Sequence, residues 1–174
     1  CLANLRYQKN QFYLLKVAKK LKETYPDWTI HLVGKDFQDD YSVKLRATIQ
    51  QENLDNQVYI YGSKNDTYNI INQATICVFS SSSEGLPVAL LEFGLLSKPV
   101  ISTEVGEIPL IIKNDKNGIL VPVNDVEKFN SAILKLIENP KLRDSLGENL
   151  KITVDLNNSE KAILNQYFNW IKTL

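Results

Sequence analysis

The fold is decided by residues 75–103, which read TICVFSSSSEGLPVALLEFGLLSKPVIST. The apolar run at 75–80 predicts a strand, and the Ser/Gly-rich loop after it leads into an apolar helix predicted over 86–96. Residues 98–103 predict a second strand. Both strands are apolar at successive positions, which is typical of strands covered on both faces in a parallel sheet.

Strands and helices alternate along the rest of the chain as well. The further predicted elements are a strand that ends near Leu5, strands at 29–34, 58–62 and 118–123, a helix between Asn10 and Pro26, helices at 40–53 and 66–74, and helices that start near Asp125, Asn139 and Ser159. This order predicts an α/β, Rossmann-like domain with a mostly parallel sheet and helices on both faces. Ligands bind such sheets at the carboxyl ends of the strands.

Composition narrows the class of protein. The 174 residues suit one domain, and 44% hydrophobic with 23% charged residues is typical of an ordered globular chain. Twenty basic residues balance twenty acidic ones, which argues against a dedicated nucleic-acid-binding protein. Cys1 and Cys77 are too few for a disulfide scaffold, and Cys77 is predicted to be a small core residue. The single histidine, His31, alternates with apolar neighbours, so we expect it to be structural.

The loop before helix 86–96 is a candidate anion site. Free backbone N–H groups at a helix start, together with the helix dipole, favour a phosphate. Gly85 allows a ligand to approach the backbone closely, and Pro87 lacks only an N–H that the helix does not use. An ordinary strand–helix turn would explain these features equally well.

Glu92 makes a ligand site the more specific interpretation. Its helix is so apolar that we expect burial on most sides, and a buried carboxylate without a partner is unfavourable. A lysine or a backbone donor would satisfy it, and so would two adjacent sugar hydroxyls. Glu84 stands in the loop before the helix, so the two carboxylates flank the predicted anion site.

The segment EGLPVALLE, residues 84–92, resembles the E-x7-E signature of the retaining family-four glycosyltransferases. The resemblance continues in order along nearly the whole chain. It includes NLRYQKNQFYLLKVA at 4–18, VYIYG at 58–62, ATICVFSSSSEG at 74–85 and STEVGEIPLIIKNDKNGILVPVND at 102–125. It implies the two-domain GT-B fold, with residues 1–174 as the C-terminal, donor-binding domain and the acceptor-binding N-terminal domain outside this chain.

The resemblance also implies a role for each matching residue. Glu84 is the candidate catalytic residue and faces the donor sugar, and Glu92 binds the ribose hydroxyls. The remaining predicted contacts are the N–H groups of Gly85, Leu86 and Val88 and the ammonium of Lys9 at the diphosphate, and Gly62, Ser63 and Lys64 at the base. A solvated loop lysine is the alternative for Lys9, and a plain strand-ending turn is the alternative for Gly62.

Several positions depart from the family pattern. Asn4 occupies a phosphate-contact position where the family often has arginine, and nearby Arg6 is not expected to replace it simply. Gly106 is followed by Glu107 where a second glycine is common, and Leu110 stands where the family has a glutamate. We expect these changes to tune the donor or the acceptor while the main motif stays intact.

The function implied is transfer of a sugar from a nucleoside-diphosphate sugar to a glycan or lipid-linked acceptor, with retained anomeric configuration. No cofactor beyond this donor substrate, no metal and no nucleic acid is expected. The expected partners are the nucleotide sugar, the protein's own N-terminal domain and the acceptor. The expected location is cytoplasmic, with peripheral contact at the inner membrane surface as an option for the full-length protein. The isolated domain is expected to be inactive.

Two alternatives stay open. A GT-B nucleotide-sugar epimerase would share the fold and donor but would need carboxylates and a histidine around the sugar. A non-enzymatic, receiver-like nucleotide-binding domain is suggested by Lys98-Pro99, but it would need acidic residues after the first strand, where this chain has none.

Overall fold

Two parallel sheets form the centre of the molecule in a computed structural model that describes residues 1–173. Leu174, which the sequence predicts on the apolar face of the last helix, lies outside the described residues. The five strands are β1 (Ile30–Leu32), β2 (Val58–Ile60), β3 (Cys77–Phe79), β4 (Val100–Thr103) and β5 (Ile119–Val121). Strand β1 pairs with β2, and β4 lies between β3 and β5. The predicted parallel α/β class is confirmed, with the described strands in two sheets.

Helices follow each strand. They are α1 (Gln11–Thr24), α2 (Asp40–Gln51), α3 (Thr67–Gln73), α4 (Val88–Leu95), α5 (Ile108–Ile111), α6 (Val126–Glu138), α7 (Pro140–Asn157) and α8 (Glu160–Ile171). A short 3-10 turn, Tyr7–Lys9, precedes α1. Within residues 1–173, no helix has both the length and the apolar character needed to cross a membrane.

The first five residues run alongside β1. Leu2 forms a parallel bridge with Val33, and the N–H of Ala3 donates to the carbonyl of Val33 at 2.8 Å. The N–H of Leu5 donates to the carbonyl of Lys35 at 2.9 Å. This pairing holds the start of the chain beside the carboxyl end of β1 and so places the Tyr7–Lys9 turn at that edge.

Helices cover both faces of the β3–β4–β5 sheet, and side chains alternate between two cores. Val78 and Ile101 point into the core shared with α1 and α6. Cys77, Phe79 and Val100 point into the core shared with α4 and α7. Cys77 is 3% exposed, which confirms its predicted place in the core. Burial on both faces explains why these strands are apolar at successive positions.

Helix α4 differs from its prediction in two ways. It begins at Val88 and not near residue 86, because Pro87 is in an extended conformation with φ −73° and ψ 120°. It is also not buried on most sides, since its buried residues are Leu90, Phe93 and Gly94, whereas the side chain of Val88 is 69% exposed. One face of this apolar helix is therefore open to solvent.

Candidate functional site

An ion pair between Lys9 and Glu84 lies at the carboxyl end of β3. Lys9 Nζ is 2.6 Å from Glu84 Oε1 and 2.7 Å from Oε2, although the two residues are 75 positions apart in sequence. The Lys9 side chain is 26% exposed and that of Glu84 only 7%. A shielded pair interacts more strongly than a surface pair, and removing one partner leaves the other charge poorly solvated. The fold thus joins two residues that the sequence singles out separately.

The serine-rich loop after β3 holds the turn that carries Lys9. Ser80 Oγ donates to the carbonyl of Lys9 at 2.8 Å. The N–H of Ser82 donates to the carbonyl of Gln8 at 2.8 Å. These two bonds attach the 3-10 turn to the loop, so the position of the Lys9 backbone follows that of the loop.

The same loop holds Glu84. Ser81 Oγ donates to Glu84 Oε1 at 2.6 Å, which gives the carboxylate a second donor beside Lys9. Thr103 Oγ1, at the end of β4, donates to the carbonyl of Ser81 at 2.6 Å. The carboxylate is therefore connected through Ser81 to the neighbouring strand.

Gly106 closes the loop from the other side. Its φ is +55°, and a β-carbon there would lie 1.9 Å from the carbonyl oxygen of Glu84. The N–H of Glu107 donates to the carbonyl of Gly85 at 3.3 Å. The first glycine of the expected pair is thus needed for contact with the Glu84 loop, whereas Glu107 contributes through its backbone.

The start of α4 offers unused donors. Within residues 1–173, the backbone N–H groups of Gly85, Leu86 and Val88 make no hydrogen bond. Glu92 lies one turn beyond Val88 and therefore on the same helix face. Its side chain is only half-buried, less than expected for a helix buried on most sides, and it has no hydrogen-bond or ion-pair partner among the described residues. A carboxylate and three N–H groups thus remain free for a ligand.

A cavity of about 260 Å³ lies between the first residues of the chain, the ends of β1 and β3, and the start of α4. Its lining residues are Leu2, Ala3, Asn4, Lys9, Val33, Gly34, Phe79, Pro87, Val88 and Ala89. Lys9 is the charged residue among them, so the described lining has little net charge once Lys9 is paired with Glu84.

Asn4 lines this cavity, but part of its amide serves the fold. Its Oδ1 accepts a hydrogen bond from the N–H of Lys35 at 2.8 Å. The guanidinium of Arg6 lies 4.5 Å from the centre of the Phe37 ring, so Arg6 is engaged in a cation–π contact. This contact agrees with the expectation that Arg6 does not simply replace the family's arginine.

The predicted base-contacting residues lie at the end of β2. Gly62 has φ +69°, and its carbonyl accepts from the N–H of Gly34 at 3.1 Å. Ser63 is exposed, and Lys64 lines a second cavity of about 450 Å³. Leu2 and Val33 line both cavities, so the two are neighbours. The fold places residues 62–64 after the carboxyl end of β2, and Lys64 lines the larger cavity rather than the one beside Lys9.

His31 is held by its own neighbours. One ring nitrogen lies 2.8 Å from Thr29 Oγ1 and the other 2.9 Å from Tyr61 Oη. The ring also stacks on Tyr59 and Tyr61, and burial lowers the pKa of His31. These contacts support the structural role expected for His31.

Sequence reasoning missed Ser81 and Thr103. Ser81 precedes Glu84 by three residues, the spacing of a capping box, but in that pattern each side chain bonds the other residue's backbone N–H at a helix start. Here the two side chains bond each other in the loop before α4, so nothing in the local sequence separates Ser81 from the other three serines. Nothing in the local sequence of Thr103 indicates its contact, because its partner lies on another strand.

Solved structures share this arrangement of strands and helices. Alr3699/HepE of Anabaena, in complex with UDP, superposes with a TM-score of 0.92 at 21% identity, over 99% of this chain and 48% of that chain. The C-terminal domain of LpcC, a glycosyl transferase group 1 family protein of Francisella tularensis, gives a TM-score of 0.81 at 27% identity, over 91% of this chain and 85% of that one. The fold is that of the GT-B glycosyltransferases, as predicted.

The chain belongs to the family described as glycosyl transferases group 1, whose model matches residues 1–153. Among curated relatives it is similar to the UDP-Gal:alpha-D-GlcNAc-diphosphoundecaprenol alpha-1,3-galactosyltransferase of Escherichia coli, with 28% identity over 138 residues and 78% of this chain. The chain spans between 25% and 42% of the lengths of the first three curated relatives it matches.

Proposed function

We propose that this chain is the donor-binding domain of a retaining glycosyltransferase that transfers a sugar from a nucleoside-diphosphate sugar to a glycan or lipid-linked acceptor. The proposal rests on the ion pair between Lys9 and Glu84. This pair lies beside the free N–H groups of Gly85, Leu86 and Val88. Two relatives support it, since one is named for UDP-Gal as donor and a solved neighbour is in complex with UDP.

In this proposal the diphosphate binds at the start of α4. The N–H groups there have fixed directions and the helix dipole adds a partial positive charge. Negative charge on the diphosphate grows as the bond to the sugar breaks, so donors that are already in place stabilise the transition state more than the ground state. Lys9 has a flexible stem, so its ammonium can reach the leaving phosphate from its place beside the Glu84 carboxylate.

Glu92 and Glu84 contact different parts of the donor in this proposal. Glu92 lies on the face of α4 that also carries Val88, about 6 Å further along the helix axis. Its free carboxylate suits the two ribose hydroxyls, because each oxygen can accept one hydrogen bond. Glu84 orients the donor sugar and acts on it electrostatically, and we assign no residue of this chain as a nucleophile.

The remaining parts of the site are proposed by the same reasoning. Gly62, Ser63 and Lys64 contact the nucleotide base, and Asn4 lies beside the diphosphate. The scheme includes no metal or other cofactor. A further domain of a longer protein supplies the acceptor site, and the cytoplasm, where nucleotide sugars are available, is the proposed location.

Calorimetric titration of the purified chain with UDP, GDP and ADP tests the proposal. We expect one of them to bind weakly and no sugar transfer to occur, because closure of a second domain is needed to exclude water and complete the site. A longer protein that contains this chain should transfer sugar, and NMR of the product should show the donor's anomeric configuration. Absence of binding by all three nucleotides at millimolar concentration would refute the proposal.

A further inference from the structure

Two buried hydroxyl groups connect the Glu84 carboxylate to strand β4. Ser81 is 1% exposed and its Oγ donates to Glu84 Oε1 at 2.6 Å. Thr103 is 0% exposed and its Oγ1 donates to the carbonyl of Ser81 at 2.6 Å. A buried hydroxyl normally has a partner, but these partners form a chain that ends at a charged group of the candidate site.

Ser81 orients the Glu84 carboxylate in a way that Lys9 does not. Lys9 Nζ lies within 2.7 Å of both carboxylate oxygens, so as a compact charge it distinguishes little between them. Ser81 donates to Oε1 alone, at a length typical of a strong hydrogen bond to an ionised acceptor. The serine therefore determines how the carboxylate plane is turned about its last torsion, which is otherwise a broad one.

We propose that Ser81 is a positioning residue that sets the orientation of the Glu84 carboxylate, and through it the position of the Lys9 ammonium, while Thr103 holds Ser81 in place. The effect on ligand binding rests on the proposed function, whereas the link between Ser81 and Glu84 does not. Removing the Ser81 hydroxyl leaves the ion pair but lets the carboxylate turn, so Lys9 no longer has one defined position.

A double-mutant cycle on stability tests the link without any ligand. The variants are Ser81→Ala, Glu84→Ala and the pair, with the unfolding equilibrium constant measured in denaturant. Hydrogen bonds to charged groups are strong enough that we expect the two changes to be coupled by about tenfold or more. Ser102→Ala is the matched control, because Ser102 is a buried serine whose Oγ donates to the carbonyl of Thr103 and not to Glu84. Its effect should be the same with and without Glu84.

Nucleotide titration then tests the consequence for the site. Ser81→Ala should weaken nucleoside-diphosphate binding in the chain with Glu84 and have no further effect in the Glu84→Ala background. Thr103→Val should produce part of the same loss, and Thr103→Ser should restore affinity because it keeps the hydroxyl. A merely structural serine would weaken binding equally in both backgrounds.

The possible outcomes separate the two proposals. Stability effects of Ser81→Ala and Glu84→Ala that add to within about twofold would overturn the positioning role, even if nucleotides bind. Coupled stability effects in a chain that binds none of the nucleotides would refute the proposed function and leave the Ser81–Glu84 link standing.

Discussion

Gly106 lies so close to Glu84 that no side chain fits between them. A β-carbon at position 106 would be 1.9 Å from the Glu84 carbonyl oxygen, and the φ of +55° is itself unfavourable for other residues. The loop after β4 therefore supports the backbone of the loop after β3 directly. The backbone of Glu84, the candidate catalytic residue, thus depends on a glycine 22 positions further along the chain. The hydrogen bond from Thr103 to Ser81 joins the same two loops, again across 22 positions.

Gly106→Ala should destabilise the chain. Gly62→Ala is the matched control, because Gly62 also has a positive φ, +69°, but has open space where a β-carbon would be. We expect a loss of about 1 kcal/mol in the free energy of unfolding for Gly62→Ala and roughly twice that or more for Gly106→Ala, where the clash adds to the backbone strain. Denaturant unfolding measures both, and equal losses would contradict the close contact with Glu84.

Lys9→Ala should weaken binding of a nucleoside diphosphate more than binding of the nucleoside. The loss should shrink as salt rises, because the Lys9 side chain is partly exposed and its charge is screened. Titration of both ligands at low and high salt measures this loss of affinity. Lys16→Ala, at an exposed lysine, is the matched control. Equal losses for both ligands would mean that Lys9 is not a diphosphate contact.

The ion pair also predicts an effect of Lys9→Ala on stability. The change leaves the shielded Glu84 carboxylate with Ser81 as its remaining side-chain donor among the described residues, and we expect a loss of about 1–3 kcal/mol. The double variant Lys9→Ala/Glu84→Gln should recover part of the stability without recovering diphosphate affinity. Recovery of both would show that the lysine acts only on the fold.

Glu92→Gln should weaken nucleotide binding and leave inorganic pyrophosphate binding almost unchanged. The reason is that Glu92 faces the proposed ribose position, and a charged hydrogen bond contributes about 1.5–3 kcal/mol. Because Glu92 has no partner among the described residues, stability should change little. Calorimetry with both ligands measures the difference, and Glu148→Gln at an exposed position of α7 is the control. Equal losses for nucleotide and pyrophosphate would indicate a structural role in α4.

Stability should fall as the pH rises above about 9. Burial raises the pKa of the Cys77 thiol from 9.0 to about 11, so between these values the folded chain keeps a proton that the unfolded chain releases. The state that binds more protons loses stability as the pH increases, by at most about 1.4 kcal/mol per pH unit for one group. Urea unfolding of Cys77→Ala should show a shallower decline over this range. An unchanged slope would mean that Cys77 does not titrate as its burial implies.

Much of the architecture was predictable because the local sequence of each element indicates its type. The strands around Cys77 and Ile101 are apolar at successive positions, and the helix that carries Phe129 shows a regular apolar face, so each element can be read in its own window of sequence. Alternation of these elements then restricts the sheet to a parallel one. The predicted start of α4 was two residues early, because Pro87 is in an extended conformation, and the short helix α5 was not predicted.

The sequence by itself determined the order of the longer elements, the parallel α/β class, the family and the spacing of Glu84 and Glu92, whereas the short helix α5 was not predicted. The tertiary structure decided which charges meet, since Lys9 reaches Glu84 only through the packing of the first turn against the loop after β3. It also decided that Glu92 is half-buried and has no partner within the described part of the chain. The physical reason is that periodicity reports which face of an element is apolar, whereas burial and charge pairing depend on what packs against that face from distant parts of the chain.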